Sequence, residues 1–415
     1  MPIAQLSVHF FLQAALILLA CRLVSAIGRR LGQSQAVCEM IAGVALGPSL
    51  LGLLWPQAQL LLFPKETQGL LYTAGQFGVG LYMFLVGTEF RAEHFRQRYR
   101  SALAVSISGI AVPFMLALAL VFWLHEVPGL FAAQSTVFEA WLFLGAAIAI
   151  TAFPMLARII HEQGLADTSL GTLALTAGAM DDAAAWCILA VVLASFNHDW
   201  SGAWLAIGGG VAYAVFVTLI GRRLLRRLGA NLGADAPLPP TTLAVVLALF
   251  CLSAWFTDAI GIHAVFGGFL LGTAMPKGEL TAKVRAQLQS PTVVFLLPMF
   301  FVYSGLNTRL DLVTQPALWM ATLAVLAVSF IGKGGACYAA ARLAGGPLHE
   351  AKAIGALMNA RGLMELLIIN IGLQAGMIGA GLFSILVLMA ILSTLLATPL
   401  FNRAMRQGQR CSQIS

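Results

Sequence analysis

The stretch Leu175-Thr176-Ala177-Gly178-Ala179-Met180-Asp181-Asp182-Ala183-Ala184-Ala185-Trp186 places two adjacent carboxylates in the middle of an apolar run over 168–195. Each lies about 13 residues from an end of that run, roughly 20 Å of helix rise from either surface of a bilayer. A charge at that depth costs several kcal/mol, so acidic residues inside spans face a protein interior or a watery cavity and mark ion or proton pathways. Structural pairing with buried bases is the alternative. Neighbours on a helix point about 100° apart, so one carboxylate can face a cavity while the other faces a partner helix. Two interacting carboxylates titrate as a unit. A carboxylate in this position holds a proton or a hard cation but not both. That competition suffices to exchange one for the other, provided that the empty, charged form is held back.

Working outward, the rest of the chain has the same solvent. Of 415 residues, 60% are hydrophobic and 10% charged, against about 25% charged in soluble domains; mean hydropathy is +0.88. Apolar stretches long enough to cross a bilayer of roughly 30 Å recur throughout. The predicted fold is an all-α polytopic membrane protein of thirteen spans: 8–27, 35–54, 68–88, 101–124, 139–161, 168–195, 203–221, 241–258, 261–275, 290–306, 317–341, 351–375 and 379–401. The first apolar run lacks a basic lead and a small-residue cleavage site, so it reads as a span and not as a cleaved signal. The expected organisation is a transmembrane domain over 1–402, with core helices at about 101–195 and 317–401 and the others as scaffold, and a short tail at 403–415. No connection is long enough for a further domain, and no nucleotide-binding domain or strand with a GxGxxG turn is expected.

The net charge of +7 reads as topology and not as a nucleic-acid or other acidic partner. With the N-terminus outside, 19 of the 24 Lys and Arg residues fall in connections on one side or in the tail, among them Arg29, Arg30, Arg91, Arg222, Arg223, Lys283, Arg285, Lys352, Arg403 and Arg406. The other side has only Lys65 and Arg309, and Arg22, Lys333 and Arg361 lie inside spans. This is the positive-inside asymmetry. It predicts an inner-membrane protein with its C-terminus in the cytoplasm. The six cysteines are scattered without a CxxC pair, and the seven histidines lack metal-ligand spacing and sit at span ends or in loops, His263 opening the ninth span. Neither a resident metal nor a cofactor is expected.

Two spans look interrupted. The fifth contains Ala149-Ile150-Thr151-Ala152-Phe153-Pro154, where proline removes a backbone donor; the twelfth contains Met358-Asn359-Ala360-Arg361-Gly362. Matched interruptions in the two halves of a transporter point to its site. Each is the second helix of a triplet, spans 4–6 and 11–13, and the triplets start on opposite sides, as in an inverted repeat. Near the first break, Thr151 can offer a hydroxyl or a freed carbonyl to a dehydrated cation. Lys333, midway along span 11, needs a partner at that depth; one of the aspartates is the obvious choice, and broken-helix carbonyls are the alternative. Arg361 and Glu365 stand i, i+4 and can pair, and Arg361 can also neutralise the C-terminal end of a half-helix dipole. Arg22 and Glu39 sit near span ends and are expected to snorkel or to line a helix contact. Gly208 to Gly210 read as close helix packing.

The segments Ala42-Gly-Val-Ala-Leu-Gly-Pro-Ser-Leu50, Phe84-Leu-Val-Gly-Thr-Glu89, Thr151-Ala-Phe-Pro-Met-Leu-Ala-Arg158, Met180-Asp-Asp182, Gly261-Ile-His-Ala-Val-Phe-Gly267, Leu297-Pro-Met-Phe-Phe-Val-Tyr-Ser-Gly-Leu306 and Met358-Asn-Ala-Arg-Gly-Leu-Met-Glu-Leu366 resemble the monovalent cation:proton antiporter-2 family, from about residue 35 to 400. The Thr151–Arg158 segment is especially similar to plant cation/proton exchangers and their bacterial relatives. The resemblance implies a thirteen-helix homodimer with two crossed discontinuous helices and a core that moves against a dimerisation domain. It implies that Na+ or K+ is exchanged for H+. It places the ion- and proton-binding carboxylate on Asp182, the first acid of the pair on Asp181 and that acid's lysine partner on Lys333, with the breaks at Thr151 to Pro154 and Asn359 to Gly362. Potassium exchangers of this family commonly carry an amide where this chain has Asp181. Two aspartates resemble the electrogenic sodium antiporters instead, which points away from potassium and toward more than one proton per cation. A channel or a sensor on the same scaffold remains the alternative. An intramembrane aspartyl protease does not fit, because its two carboxylates stand on separate helices around one water.

Overall fold

The structure is a computed structural model that describes residues 2–89, 92–166, 168–197, 200–228, 237–306 and 317–412. Arg91 and Arg309, named above, and His198, one of the seven histidines, lie outside the described residues. Helix α1 (Ile3–Arg30) leads to α2 (Gln35–Leu46) and two short helices, α3 (Leu51–Leu54) and α4 (Pro56–Leu62). Then follow α5 (Lys65–Glu89), α6 (Ala92–Leu124), α7 (Val137–Ala149), α8 (Phe153–Glu162), α9 (Ser169–Asn197) and α10 (Ser201–Phe216). A π-helical turn, Val217–Gly221, carries α10 into α11 (Arg222–Leu228), and α12 (Pro240–Ala259) and α13 (Ala264–Ala274) come next. A second π-helical stretch, Thr292–Leu296, joins α14 (Glu279–Pro291) to α15 (Leu297–Leu306); a third, Val328–Lys333, joins α16 (Ala317–Ala327) to α17 (Gly334–Leu343). The chain closes with α18 (Leu348–Leu357), α19 (Leu363–Gln374) and α20 (Ala380–Ser412). Among the described residues the extended pairing is one isolated bridge, Phe131 with Ile378.

Among the described residues, eleven helical stretches are long and apolar enough to cross a membrane, counting 137–162 across its break. The two remaining predicted spans are α13, only 11 residues long, and the broken pair α18 and α19. The protein is a multi-pass, all-helical membrane protein.

Helix ends depart from the sequence reading wherever capping, and not bilayer thickness, decides them. The stretches 89–100, 222–240 and 276–289, read as connections, are helical from Ala92, up to Leu228 and from Glu279, and the tail is helical to Ser412. Polar turns beyond the apolar runs extend these helices, and Lys283 and Glu279 pair at i, i+4, 3.8 Å apart. A third interruption, unread in the sequence, separates α2 from α3 at 47–50. A Cβ on Gly305 would lie 2.4 Å from the Val44 nitrogen and 2.5 Å from the Gly43 carbonyl carbon, so two backbones touch here and only glycine fits. Pro154 does not itself break span five. Residues 150–152 are non-helical, and Pro154 sits in the first turn of α8, where its missing N–H is no loss. His263, which opens the ninth span, is buried: at φ 88° it caps α13, its Nδ1 accepting from the Val265 N–H at 3.3 Å.

The chain divides into two compact units, Met1–Leu19 with Leu60–Phe90 and Asp199–Tyr303, and Ala20–Gln59 with Arg91–His198 and Ser304–Ser415. In the first, α5 and α13 cross backbone to backbone: a Cβ on Gly272 would meet the Phe84 oxygen at 2.1 Å, and one on Gly87 the Phe269 oxygen at 2.3 Å. Phe84, Phe250, Leu271 and Val284 form the core beside this crossing. In the second, Phe143, Leu144, Leu189, Leu386 and Met389 pack α7, α9 and α20 together, and this unit holds both predicted breaks.

Candidate functional site

Broken helices leave carbonyls and N–H groups without intrahelical partners, and at membrane depth each must find another. The capping box of Thr136 and Glu139 starts α7; its other end stops at Ile150. The last three α7 carbonyls then accept from two buried cations. Arg361 Nη1 donates to Ala147 O at 3.0 Å and Nη2 to Ile148 O at 2.6 Å, while Lys333 Nζ donates to Ala149 O. Two positive charges thus meet the negative end of a half-helix. The half-helix neutralised by Arg361 is α7, from the opposite break.

The two breaks bind each other. Ala152 N–H donates to Ala360 O at 3.0 Å, and the Thr151 hydroxyl lies 2.9 Å from Met358 O. Thr394 of α20 holds the second break, its Oγ1 accepting from Arg361 N–H at 2.9 Å and lying 3.0 Å from Arg361 O. Arg361 also pairs with Glu365 at 3.1 Å and bonds Ser329 Oγ. Glu365 stands in the first turn of α19, where a carboxylate suits the positive helix end. The amide of Asn359 turns back to Gly355 O at 2.9 Å, and its Oδ1 has no partner among the described residues.

Asp181 and Asp182 are both 1% exposed, yet their surroundings differ. Asp181 Oδ1 accepts from Ser106 Oγ at 2.7 Å; its Oδ2 accepts from Lys333 Nζ at 2.7 Å and lies 3.0 Å from Thr151 Oγ1. Lys333, wholly buried at the end of the third π-helical turn, lies 3.3 Å from Gly109 O as well. It therefore meets an aspartate and a broken-helix carbonyl, Ala149 O, together, the two roles that the sequence left as alternatives. For Asp182, neither carboxylate oxygen has a hydrogen-bond partner among the described residues. Asp182 is one turn beyond Gly178, whose added Cβ would meet Leu156 Cδ2 at 2.5 Å and Phe153 Cδ2 at 3.5 Å. It therefore shares the face of α9 turned toward the first turn of α8. A buried carboxylate with no donor must acquire a proton or a cation.

Thr151, Asp181, Lys333, Asn359, Arg361 and Glu365 thus gather at one crossing, with Asp182 beside Asp181 and Pro154 in the adjoining turn. Three further residues there, Ser106, Ser329 and Thr394, were not anticipated. Their only sequence signal is a hydroxyl inside an apolar run, which many other positions share. Glu39 and Arg158 meet elsewhere in this unit: Arg158 lies 3.7 Å from Glu39 and 2.7 Å from Glu162.

A family model described as sodium/hydrogen exchanger, transmembrane, matches residues 15–406. A protein of Synechocystis sp. named Na(+)/H(+) antiporter NhaS4 is 41% identical over 382 residues, 91% of this chain and 93% of its own. Cation/H(+) antiporter 18 of Arabidopsis thaliana is 32% identical over 97% of this chain, which spans only 50% of that relative's length. The solved structure of the sodium proton antiporter MjNhaP1 from Methanocaldococcus jannaschii superposes with a TM-score of 0.61 at 14% identity, covering 95% of this chain and 96% of that one, which establishes a shared fold. The chain belongs to the sodium/hydrogen exchanger family of transmembrane proteins.

Proposed function

We propose that the chain exchanges a monovalent cation, Na+ or K+, for protons across the cell inner membrane by alternating access, with Asp182 holding cation and proton in turn. The observation that carries this reading is the pair of buried Asp182 oxygens without a donor among the described residues. Its neighbour Asp181 is held by Ser106, Thr151 and Lys333 and serves to shape the site. Thr151 supplies an oxygen beside it, while Asn359, Arg361 and Glu365 hold the crossing together. The names of the two relatives support cation and proton as the exchanged ions. The N-terminus outside, the C-terminus in the cytoplasm and a homodimeric assembly belong to the same reading.

The test is a pH gradient across proteoliposomes that hold the full chain. Adding Na+ or K+ should dissipate the gradient with a rate that saturates, and Asp182→Asn should abolish the response. Full exchange by that variant would overturn the assignment of Asp182, and single-channel current steps would overturn coupled exchange.

A further inference from the structure

Membrane topology accounts for the side on which basic residues lie but not for their sharing one recess. In the second unit, the C-terminal end of α1 and the distal part of α20 enclose a cavity of about 610 Å³ lined by Arg30, Gly32, Asn402, Arg403, Arg406 and Gln407, with Leu31 and Pro399. Asn402 Nδ2 donates to Gly32 O at 3.3 Å and ties the two walls together. No carboxylate lines the cavity, and the three guanidiniums have no ion-pair partner among the described residues.

A second cavity, of about 680 Å³, shares Arg403 and Gln407 with the first and adds Lys352 at the same end. Lys352 Nζ donates to Gln407 Oε1 at 3.3 Å. From there the cavity runs between Phe330, Ile331, Gly335 and Tyr338 on one side and Leu400 on the other, with no acidic residue along it. Ile331 is 70% exposed, so the trough opens sideways, toward lipid in a membrane. Nothing lies within 4 Å of a Cβ added at Gly335, which leaves the trough wide at that point.

A cationic mouth that continues into an apolar trough matches one kind of ligand. Guanidiniums bind phosphate oxygens in bidentate pairs, and basic recesses at the ends of membrane helices suit anionic headgroups. A soluble phosphate would use the mouth and leave the trough unfilled; a neutral lipid would fill the trough and leave the guanidiniums unpaired. We infer that this recess holds an anionic phospholipid, with its phosphate on Arg30, Arg403 and Arg406 and one acyl chain along the trough.

The experiment measures binding, so it is independent of exchange. The full chain, purified in detergent and delipidated, is titrated with dioleoyl phosphatidylglycerol, dioleoyl phosphatidylcholine or glycerol phosphate, and binding is followed by native mass spectrometry and by the thermal unfolding midpoint. Only phosphatidylglycerol should bind tightly and raise the midpoint. Replacing the three arginines together, Arg30→Gln, Arg403→Gln and Arg406→Gln, should weaken its binding roughly a hundredfold. Gly335→Leu, which fills the trough and leaves every arginine in place, should weaken it at least tenfold, and it decides the matter if the triple variant does not fold. Equal binding of phosphatidylcholine, a full effect from glycerol phosphate alone, or unaltered phosphatidylglycerol binding in Gly335→Leu or in a folded triple variant would each overturn the inference.

Discussion

Replacing Asp181 or Asp182 by asparagine exchanges one oxygen for a nitrogen at neighbouring positions, and the geometry assigns the two changes different consequences. Asp181→Asn removes the charge that faces Lys333 at 2.7 Å and leaves a buried ammonium on carbonyls alone. Removing one partner of a buried pair costs about 3–5 kcal/mol. With an unfolding entropy of about 2.1 cal/mol/K per residue, a chain of 415 residues has about 0.9 kcal/mol/K. The midpoint should therefore fall by about 3–6 °C. Asp182→Asn breaks no hydrogen bond among the described residues and replaces an uncompensated carboxylate by a neutral amide, so its midpoint should not fall. It should instead lose the stabilisation that a bound cation confers, about 2.7 kcal/mol at a cation concentration 100 times Kd, or about 3 °C on the same scale. The assay is thermal unfolding of purified protein in choline chloride and in NaCl or KCl at equal ionic strength, with exchange measured on the same preparations. An Asp182→Asn protein that is destabilised as much as Asp181→Asn, or that is still stabilised by cation, would refute the reasoning.

Ser106→Ala deletes one of the donors to Asp181 and should cost about 1.5–3 kcal/mol, read as a lower unfolding midpoint with slowed exchange. Arg361→Ala leaves two α7 carbonyls and Glu365 without their donor; a loss above about 3 kcal/mol is expected, and Arg361→Lys should rescue little of it, because one ammonium does not reproduce a guanidinium's fork. Pro154→Ala should change stability by less than about 1 kcal/mol, since a first-turn proline gives up no helical hydrogen bond; a larger loss would mean that the proline holds the break open. Gly272→Val drives a Cβ into the Phe84 carbonyl and should abolish the folded monodisperse peak in size-exclusion chromatography.

How legible this was depends on what each feature needs. Spans were readable because lipid demands about 20 apolar residues, and the break at 358–362 because Asn359 and Arg361 are polar in an apolar helix. The break at 150–152 is itself apolar and was located through Pro154, a few residues late. The interruption at 47–50 escaped because its cause, the backbone of Gly305, is remote in the chain. The mid-membrane aspartates stood out by the cost of their charge, yet which of them is partnered depends on where Ser106 and Lys333 stand around α9, and helix periodicity alone does not give that rotation. Ser329 and Thr394 were invisible for the same reason. Helix ends beyond the bilayer were misjudged because a hydropathy boundary marks the edge of lipid and says nothing of where hydrogen bonding stops.

The N–H of Ala152 on the oxygen of Ala360 joins two points more than 200 positions apart along the polypeptide. With Thr151 on Met358 and Arg361 on Ala147 and Ile148, it rivets four short rods into a single plate. Sliding one pair of rods past the other would strip four polar contacts where no solvent replaces them, at about 1–3 kcal/mol each. Any stroke that delivers an ion therefore leaves this plate undeformed: the cradle travels whole, or stays whole while something around it opens.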